Sequence, residues 1–332
     1  MSVLVTGGAG YIGSHMVLEL LDAGESVVVI DNLSTGFKWA VAEPAQLIVG
    51  DAGDEELVKA VVRKHAVDAI IHFAGSIVVP DSVVDPLGYY LNNTVKSRAL
   101  IQAAVNVGVK NFIFSSTAAV YGNPLENPVS ETAQPAPMSP YGSSKLMTEI
   151  MLRDASNAYD FNAVALRYFN VAGADPKGRS GQSTPRATHL IKVACESALG
   201  KRAGMEVFGT DYPTPDGTCI RDYIHVKDLA RAHMSALGHL RGGGKTDIFN
   251  CGYSKGYSVL EVIDAVKRVA KIDFPVKLSP RRPGDPAAIV AASTKIRESL
   301  GWQPQHDDLD QIVAQALAWE KQLSALLNAK CS

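Results

Sequence analysis

The chain has 332 residues, 46% of them hydrophobic, and at roughly 150 residues per domain this length predicts two domains with a sizeable core. That composition excludes intrinsic disorder as the dominant state. The 32 Lys and Arg residues nearly balance the 34 Asp and Glu residues, for a formal charge of −2, so the sequence indicates no basic face for a phosphate backbone and no nucleic-acid partner.

Cysteine usage and the first residues bear on the compartment. The four cysteines are far apart, with no CxxC motif or Cys/His cluster, so they predict neither a metal site nor a disulfide framework. No apolar run reaches the length of a membrane span, and the opening residues are typical of a strand rather than of a signal peptide. We therefore expect a cytoplasmic protein that does not contact a membrane.

Short apolar runs alternate with helical patterns through the first half of the chain. Continuous β-branched runs are typical of strands buried on both faces, which requires a parallel sheet covered by helices. The fold predicted is α/β, a Rossmann-type doubly wound parallel sheet with a smaller α/β substrate domain, and functional residues are expected at the carboxyl ends of the strands. The predicted strands cover residues 3–6, 26–30, 47–50, 69–73, 111–115 and 163–168.

Three helices between these strands carry clear signals. One is predicted over residues 14–23, after a glycine-rich turn, and a second over residues 93–107, ended by Gly108. The third begins at Pro140, with Ser139 as its N-cap, and runs beyond residue 152.

Gly- and Pro-rich stretches loosen the alternation after about residue 170. We therefore predict a first, nucleotide-binding domain over residues 1–170 and a second, mainly substrate-binding domain over residues 171–332. The apolar run at 247–251 predicts a return to the main sheet, so segments near 218–251 are expected to rejoin the first domain.

The turn after the first strand has the pattern of a dinucleotide site. Gly7, Gly10 and Gly13 allow a pyrophosphate to approach the backbone, and the following helix offers free N–H groups and the positive end of its dipole. Asp31 ends the second strand, where a carboxylate accepts ribose hydroxyls and repels a 2′-phosphate, which favours NAD over NADP. The alternative is that the glycines serve only a tight turn and that Asp31 caps a loop.

Asp51 ends the third strand in a comparable place. Its carboxylate has the chemistry to accept a hydrogen bond from the adenine amino group. The spacing is equally consistent with an Asp that begins a loop turn.

Tyr141 and Lys145 are four residues apart on the third helix and therefore share one face. A phenol with a pKa of about 10 becomes an effective base near neutrality only if positive charges stabilise the phenolate. A shift of ~3 units requires about 4 kcal/mol, which Lys145 and a nicotinamide cation would supply together. The run from Ser115 to Thr117, at the end of a strand, offers hydroxyls to the same reacting oxygen.

In combination these segments resemble the extended short-chain dehydrogenase/reductase superfamily and, within it, the UDP-glucose 4-epimerase family. The resemblance covers nearly the whole chain in matching order. The segments are TGGAGYIG (6–13), DNLSTG (31–36), HFAG (72–75), the hydroxyl run 115–117, YGSSK (141–145), LRYFNVAGA (166–174) and RDYIHVKDLA (221–230).

The resemblance implies a catalytic set of three residues. Tyr141 would remove the proton of the sugar 4-hydroxyl, Lys145 would lower the pKa of Tyr141 and bind the nicotinamide ribose, and Thr117 would hydrogen-bond the 4-oxygen. Tightly bound NAD would take the hydride from C4 and return it to the other face of the 4-keto sugar, without net redox change.

The resemblance also implies the residues that bind the two ligands, a cofactor and a UDP-sugar. For NAD they are Gly7, Gly10, Tyr11, Ile12, Gly13, Asp31, Asn32, Asp51, Ala52, Phe73, Ala74, Gly75, Asn92, Ser115, Tyr141, Lys145 and Tyr168. For the substrate they are Thr117, Tyr141, Asn170, His189, Leu190, Val207, Phe208, Arg221, Arg282, Asp285 and Ile289. From the residues alone, a guanidinium fork suits a pyrophosphate, and Arg281 with Arg282 equally fits a solvated surface pair.

Three positions depart from the family pattern. Ile77 stands where many of these epimerases carry a lysine near the cofactor phosphates. His189 replaces an asparagine that binds the diphosphate, with a polar residue leading into a helix as the alternative. Ile289 replaces a tyrosine that restricts the pocket around C2, which suggests room for N-acetylated sugars.

The residues that follow Thr117 disfavour two related functions, and other functions stay open. Ala118 and Ala119 follow Thr117, where related dehydratases and decarboxylases carry acidic residues, so both are disfavoured. A UDP-glucuronate 4-epimerase, another NAD-dependent nucleotide-sugar enzyme, a dehydrogenase that releases NADH and a non-catalytic NAD-binding sensor stay as alternatives. The family also implies a homodimer through the second and third predicted helices, although Leu146, Ile150 and Met151 fit packing on the sheet equally well.

Overall fold

The computed structural model describes residues 1–185, 187–282 and 285–331. Its strands are β1 Ser2–Thr6, β2 Ser26–Asp31, β3 Gln46–Val49, β4 Val67–His72, β5 Asn111–Ser115, β6 Asn162–Tyr168, β7 Asn170–Ala172, β8 Met205–Phe208, β9 Ile220–His225, β10 Asp247–Cys251, β11 Gly256–Ser258, β12 Val276–Ser279 and β13 Ala288–Ile289.

The helices lie mostly between these strands. They are α1 Tyr11–Asp22, α2 Glu55–His65, α3 Val79–Val84, α4 Pro86–Tyr89, α5 Lys96–Asn106, α6 Pro140–Ala158, α7 Leu190–Ala198, α8 Val226–Arg241, α9 Val259–Ala270, α10 Thr294–Leu300 and α11 Leu309–Cys331, with a π-helix at Tyr90–Val95 and 3-10 turns at Lys38–Ala40 and Ala118–Val120.

Seven strands form one parallel sheet in the order β10-β6-β5-β4-β1-β2-β3. The chain order reverses between β1 and β4, and in open α/β sheets ligands bind in the crevice at that point, beyond the carboxyl ends of the strands. The predicted doubly wound Rossmann-type sheet is confirmed, and each of the six predicted strands matches an observed strand to within two residues at each end.

Alternate residues of each central strand face two separate hydrophobic clusters. In β1, Val3 and Val5 belong to the cluster that includes buried residues of α1 and α8, whereas Leu4 belongs to the cluster that includes α2 and α5 on the opposite face. Helices therefore cover both faces of the sheet, which explains why consecutive residues in the middle of its central strands are apolar.

Two predicted helices differ in detail from the structure. The first begins at Tyr11 rather than residue 14, because Gly10 takes an extended backbone conformation as its N-cap. The second was wrong as one regular helix over 93–107: a π-helix precedes α5. The carbonyl of Asn93 within it accepts hydrogen bonds from the hydroxyls of Ser97 and Thr148. The third helix begins at Pro140 with the Ser139 hydroxyl accepting from Gly142 N, as expected.

The second half of the chain builds smaller sheets around β9. Strands β11, β13 and β7 pair with β9, and β8 pairs with β12. The segment near 218–251 was expected to return to the large sheet, and part of it does. Strand β9 pairs with β7, β11 and β13 in the small sheet, whereas β10 joins the large sheet and α8 packs against it.

Within the part of the chain that the structure describes, none of the helices combines the length and apolar character that crossing a membrane requires.

Candidate active site

The glycine turn after β1 is packed too closely for side chains. Gly7 has a φ of +74°, and a Cβ there would lie 2.6 Å from the backbone nitrogen of Ala74. A Cβ on Gly13 would lie 2.2 Å from the carbonyl oxygen of Gly7. No side chain caps the N-terminus of α1, so its first N–H groups are available to an anion.

Asp31 is held at the adjacent strand end with its carboxylate oriented by the backbone. Its Oδ2 accepts from Ala9 N at 2.9 Å and its Oδ1 from Leu33 N at 2.8 Å. Each oxygen retains a lone pair for a ribose hydroxyl, and the neighbouring Asn32 side chain accepts from Ser34 N at 3.0 Å. An uncapped helix end beside an oriented carboxylate fits a dinucleotide such as NAD.

The Asp51 side chain begins a loop turn, one of its two predicted roles, and also forms an ion pair. Its Oδ1 accepts from Gly53 N at 2.8 Å, and its Oδ2 lies 2.5 Å from Lys96 Nζ. Burial alone would raise the pKa of Asp51, but these donors outweigh it and the pKa is lowered. An adenine amino group would share a carboxylate that Lys96 already contacts, and Ala52 beside it is buried in the core.

The segment after β4 approaches the glycine turn and α6. The Phe73 ring lies 4.8 Å from the ring of His233, and a Cβ on Gly75 would lie 3.7 Å from Lys145 Nζ. Asn92 donates to the hydroxyl of Ser76 at 2.9 Å. These contacts bring the residues from 73 to 76 beside the candidate catalytic helix. Ile77 follows them and is exposed.

Tyr141 lies buried at the start of α6, near enough to Thr117 for the threonine hydroxyl to affect the pKa of its phenol. Burial raises the pKa of Tyr141 to about 12, against a smaller lowering by the Thr117 hydroxyl. The prediction that Lys145 and a nicotinamide cation together move this phenol towards neutrality concerns the NAD-bound site and stays a prediction. The ammonium of Lys145 is engaged with the carbonyl oxygen of Ser115, 2.9 Å away, so a further positive charge is required.

Lys145 is itself buried, which lowers its pKa to about 8 despite the nearby negative charge of Glu149. Its ammonium also lies 4.9 Å from the centre of the Phe114 ring. The lysine is therefore close to its titration point near neutral pH, and a bound polyol or anion would favour its charged form.

Asn93 joins the loop after β4 to α6, and sequence reasoning missed it. Its Oδ1 accepts from Ser76 N at 2.7 Å, and its Nδ2 donates to Ser76 O at 2.9 Å and to Ser144 Oγ at 3.1 Å. Ser144 in turn donates to the carbonyl of Tyr141. The only sequence signal was a pair of adjacent asparagines inside a helical pattern.

His72, the first residue of the HFAG segment, connects β1 to the start of α5. Thr6 Oγ1 lies 2.7 Å from its Nδ1 and Ser97 Oγ lies 2.8 Å from its Nε2. Burial, with the charge of Lys145, lowers the pKa of His72 to about 3. Its imidazole is therefore neutral and places no second cation beside Lys145.

A buried ion pair between Glu149 and Arg167 contacts the hydroxyl run 115–117. Arg167 Nε and Nη2 lie 2.9 Å and 2.5 Å from the two oxygens of Glu149, and Ser116 Oγ donates to the same carboxylate. Ser115, the first residue of the run, forms a hydrogen bond with Tyr168 through their hydroxyls. Burial raises the pKa of Tyr168 above its ordinary value. Nothing in the local sequence identified this pair.

A cavity lies between the start of α1 and residues from the second half of the chain. Asn170, His189 and Leu190 line it together with Tyr11, whose hydroxyl donates to Gly173 O at 2.7 Å. Three of the residues expected at the UDP moiety therefore share one space.

The other expected substrate residues lie around β8, β9 and β13. The guanidinium of Arg282 lies 4.5 Å from the Phe208 ring and pairs with Asp285 at 3.3 Å, next to the buried Val207. Arg221 on β9 faces Ile289 on β13 in register.

The two adjacent arginines are not equivalent. Arg281 stacks on Tyr212, with 4.1 Å between guanidinium and ring centre, and pairs with Asp211.

Ile289 packs with Ala118 and Tyr121, next to the hydroxyl run.

No group of three metal-binding side chains occurs among the residues that the structure describes.

Comparison with known proteins identifies the family. Residues 3–252 match the model of the NAD dependent epimerase/dehydratase family. The chain belongs to this family. It is 58% identical to the UDP-glucose 4-epimerase of Azospirillum brasilense over 97% of this chain and 92% of the relative.

Solved structures agree with this assignment. The UDP-glucose 4-epimerase of Bifidobacterium longum, in complex with NAD⁺ and UDP, is 38% identical with a TM-score of 0.92, covering 97% of this chain and 98% of that one. The UDP-Glc/GlcNAc 4-epimerase of Campylobacter jejuni is 49% identical with a TM-score of 0.85, covering 97% and 99%. The resemblance stated from sequence, the enzyme class and the NAD cofactor are confirmed.

The lowered pKa of Lys145 predicts a pH-dependent stability. In the unfolded chain Lys145 titrates near its ordinary value of 10.5, and in the fold at about 8. Between these values the unfolded chain binds more protons, so the free energy of unfolding rises with pH. Relative to Lys145→Met, the NAD-free wild type should gain about 2 kcal/mol from pH 7 to pH 9.5, measured by urea denaturation. A constant difference would contradict the shifted pKa.

Proposed function

We propose that this protein interconverts UDP-glucose and UDP-galactose by epimerisation at C4, using tightly bound NAD. The observation that carries the proposal is the placement of Tyr141, Lys145 and Thr117 together at the carboxyl end of β5, beside a dinucleotide turn. The relatives named above, two of them UDP-glucose 4-epimerases, support the substrate.

Tyr141 acts as the base and Thr117 as the hydrogen-bond partner of the reacting oxygen. The phenol keeps its proton in the ligand-free protein, because burial disfavours the phenolate. When bound, NAD supplies a positive charge beside this phenol and reversibly accepts the hydride from C4 of the sugar. Under that positive charge the phenol releases its own proton to solvent, and the resulting Tyr141 phenolate takes the proton of the 4-hydroxyl and returns it after the sugar has turned.

Lys145 binds the nicotinamide ribose and adds its positive charge to the site. The carbonyl of Ser115 fixes its ammonium at 2.9 Å, and Asn93 fixes the start of α6 through Ser144. Because both groups are held on rigid elements, little reorganisation is needed when charge develops on the reacting oxygen.

The UDP moiety binds between the two halves of the chain. His189, Asn170 and the start of α7 hold the diphosphate, and Arg221 and Arg282 supply charge to the nucleotide. The remaining predicted cofactor and substrate residues keep the roles given above, and the division at residue 170 is retained with α8 and β10 in the first domain. We place the protein in the cytoplasm.

UDP-N-acetylhexosamines are the second candidate substrates. Ile289 packs beside Ala118 next to the reacting hydroxyls, and a branched aliphatic side chain leaves more room than a tyrosine. The Campylobacter jejuni neighbour, at 49% identity, is a UDP-Glc/GlcNAc 4-epimerase. UDP-glucuronate would require a cation beside its C6 carboxylate, and Arg167, deep in the site, is already paired with Glu149.

The proposal is tested by incubating the purified protein, without added cofactor, with UDP-galactose, UDP-N-acetylgalactosamine and UDP-glucuronate in parallel. We expect conversion of UDP-galactose to UDP-glucose without external NAD, because the cofactor is regenerated in each turnover. Dependence on added NAD with accumulation of NADH would identify a net dehydrogenase. Binding of NAD without conversion of any sugar would identify a sensor.

Tyr141→Phe should abolish the proton transfer while leaving the fold intact. General acid–base catalysis contributes roughly 10² to 10⁴ in rate, so we expect the epimerisation rate to fall by at least about 100-fold with NAD retention unchanged. Product chromatography and the absorbance of released cofactor measure the two quantities. A rate within a few-fold of the wild type would remove Tyr141 as the base.

A homodimer is part of the proposal, and an apolar surface supports it. Helix α6 packs against α3, α4 and the π-helix, and these elements expose Val79, Val83, Val84, Leu87, Leu91, Val95, Met147 and Ile150. Exposed apolar patches of this extent are typical of interaction surfaces. Of the three positions named from sequence, Ile150 is exposed, whereas Leu146 and Met151 pack on the core.

Ile150→Glu should break this association, since it places a charge within the apolar surface. Light scattering should give twice the chain mass of 35.4 kDa for the wild type and one chain mass for the variant. Leu125→Glu is the matched control, because Leu125 is an exposed leucine outside the surface. A wild-type monomer would contradict the assignment.

A further inference from the structure

His189 is held by one neighbour in a defined orientation. It precedes α7 as its N-cap residue, and its Nδ1 lies 2.9 Å from the side-chain nitrogen of Gln182. Gln182 is buried, with 8% of its surface exposed. An amide nitrogen only donates, so Nδ1 of His189 accepts, and the hydrogen of the neutral ring lies on Nε2.

The opposite nitrogen of this imidazole has no partner among the described residues. His189 lines the cavity that also contains Asn170, and its Nε2 forms none of the hydrogen bonds observed within the described chain. The ring therefore presents an unused N–H donor to the space in which we place the diphosphate.

His189 is neutral in this environment, because burial lowers its pKa. The ammonium of Lys192 is compensated by Glu320 and by Glu196, at 3.4 Å. The titratable and charged groups that line the same cavity, from every element around it, are Tyr11, Lys192, Cys195, Tyr223 and Glu320.

We propose that Gln182 is a positioning residue that fixes His189 as the Nε2–H tautomer, so that the imidazole donates to the diphosphate of the nucleotide substrate. A diphosphate offers only acceptors, so a ring with its hydrogen on Nδ1 would turn a lone pair towards it. The proposal rests on the proposed function and adds a residue on which substrate binding depends without contact to the reacting atoms.

Gln182→Ala releases the ring and both tautomers become accessible. Isothermal titration of the NAD-containing enzyme with UDP should show about tenfold weaker binding, as expected for a charge-assisted hydrogen bond. The KM for UDP-galactose should rise similarly, while kcat stays within about twofold because Tyr141 and Lys145 are untouched.

Gln182→Glu distinguishes tautomer control from a structural effect. A carboxylate only accepts, so it requires a hydrogen on Nδ1. At low pH the ring is then doubly protonated and still donates through Nε2. As the pH rises the Nε2 hydrogen is lost, so the dissociation constant for UDP, relative to wild type, should increase from pH 6 to pH 9.

Gln322→Ala is the matched control. Its side-chain nitrogen donates to Gly178 O at 2.9 Å in the same loop region, and it is exposed, so UDP binding should not change. Melting temperature and NAD content verify that each variant folds. If Gln182→Ala does not fold, the pH dependence of Gln182→Glu decides the question.

Two results separate the possible failures. UDP binding within twofold of wild type for Gln182→Ala, or a pH-independent ratio for Gln182→Glu, would overturn the role of Gln182 and leave the epimerase proposal standing. A wild-type enzyme that binds no UDP would overturn both.

Discussion

The ammonium of Lys145 is removed almost completely from solvent, with 3% of the residue exposed, and the other groups of the site are arranged around it. A buried cation is unfavourable unless polar groups surround it. The carbonyl of Ser115 supplies one at 2.9 Å, and Glu149, one turn further along α6, supplies compensating charge. Helix α6 is thereby held against the end of β5, which places Tyr141 beside Thr117.

Glu149 would itself be unfavourable in this position without Arg167 and the hydroxyl of Ser116. Each buried charge thus requires a polar or charged partner, and these partners connect α6, the end of β5 and β6. On the opposite side of α6, the Asn93 side chain accepts a hydrogen bond from Ser76 N, in the loop after β4, and donates one to the hydroxyl of Ser144. The π-helix that holds Asn93 is the local irregularity through which these bonds are made, as is common at functional sites.

Local patterns sufficed to predict the strands of the large sheet, the glycine turn and the start of α6. Ser139 and Pro140 act on the backbone next to them, and apolar runs report burial directly. The π-helix, the Glu149–Arg167 pair and the contact of Gln182 with His189 depend on which distant residues the fold brings together. The spacing of Tyr141 and Lys145 correctly indicated a shared face, but the resulting pKa depends on burial and on the Ser115 carbonyl, which no spacing reveals.

The raised pKa of Tyr141 has a consequence for the order of events in the site. A phenol at about 12 is not a base at neutral pH, so the ligand-free protein holds a dormant catalytic group. Positive charge beside the phenol favours release of its proton, and exclusion of water on substrate binding strengthens the attraction between that charge and the phenolate, which then accepts the proton of the sugar hydroxyl. Catalytic competence is therefore conditional on a filled site. The diphosphate contacts in the second half of the chain contribute to the chemistry by completing that enclosure.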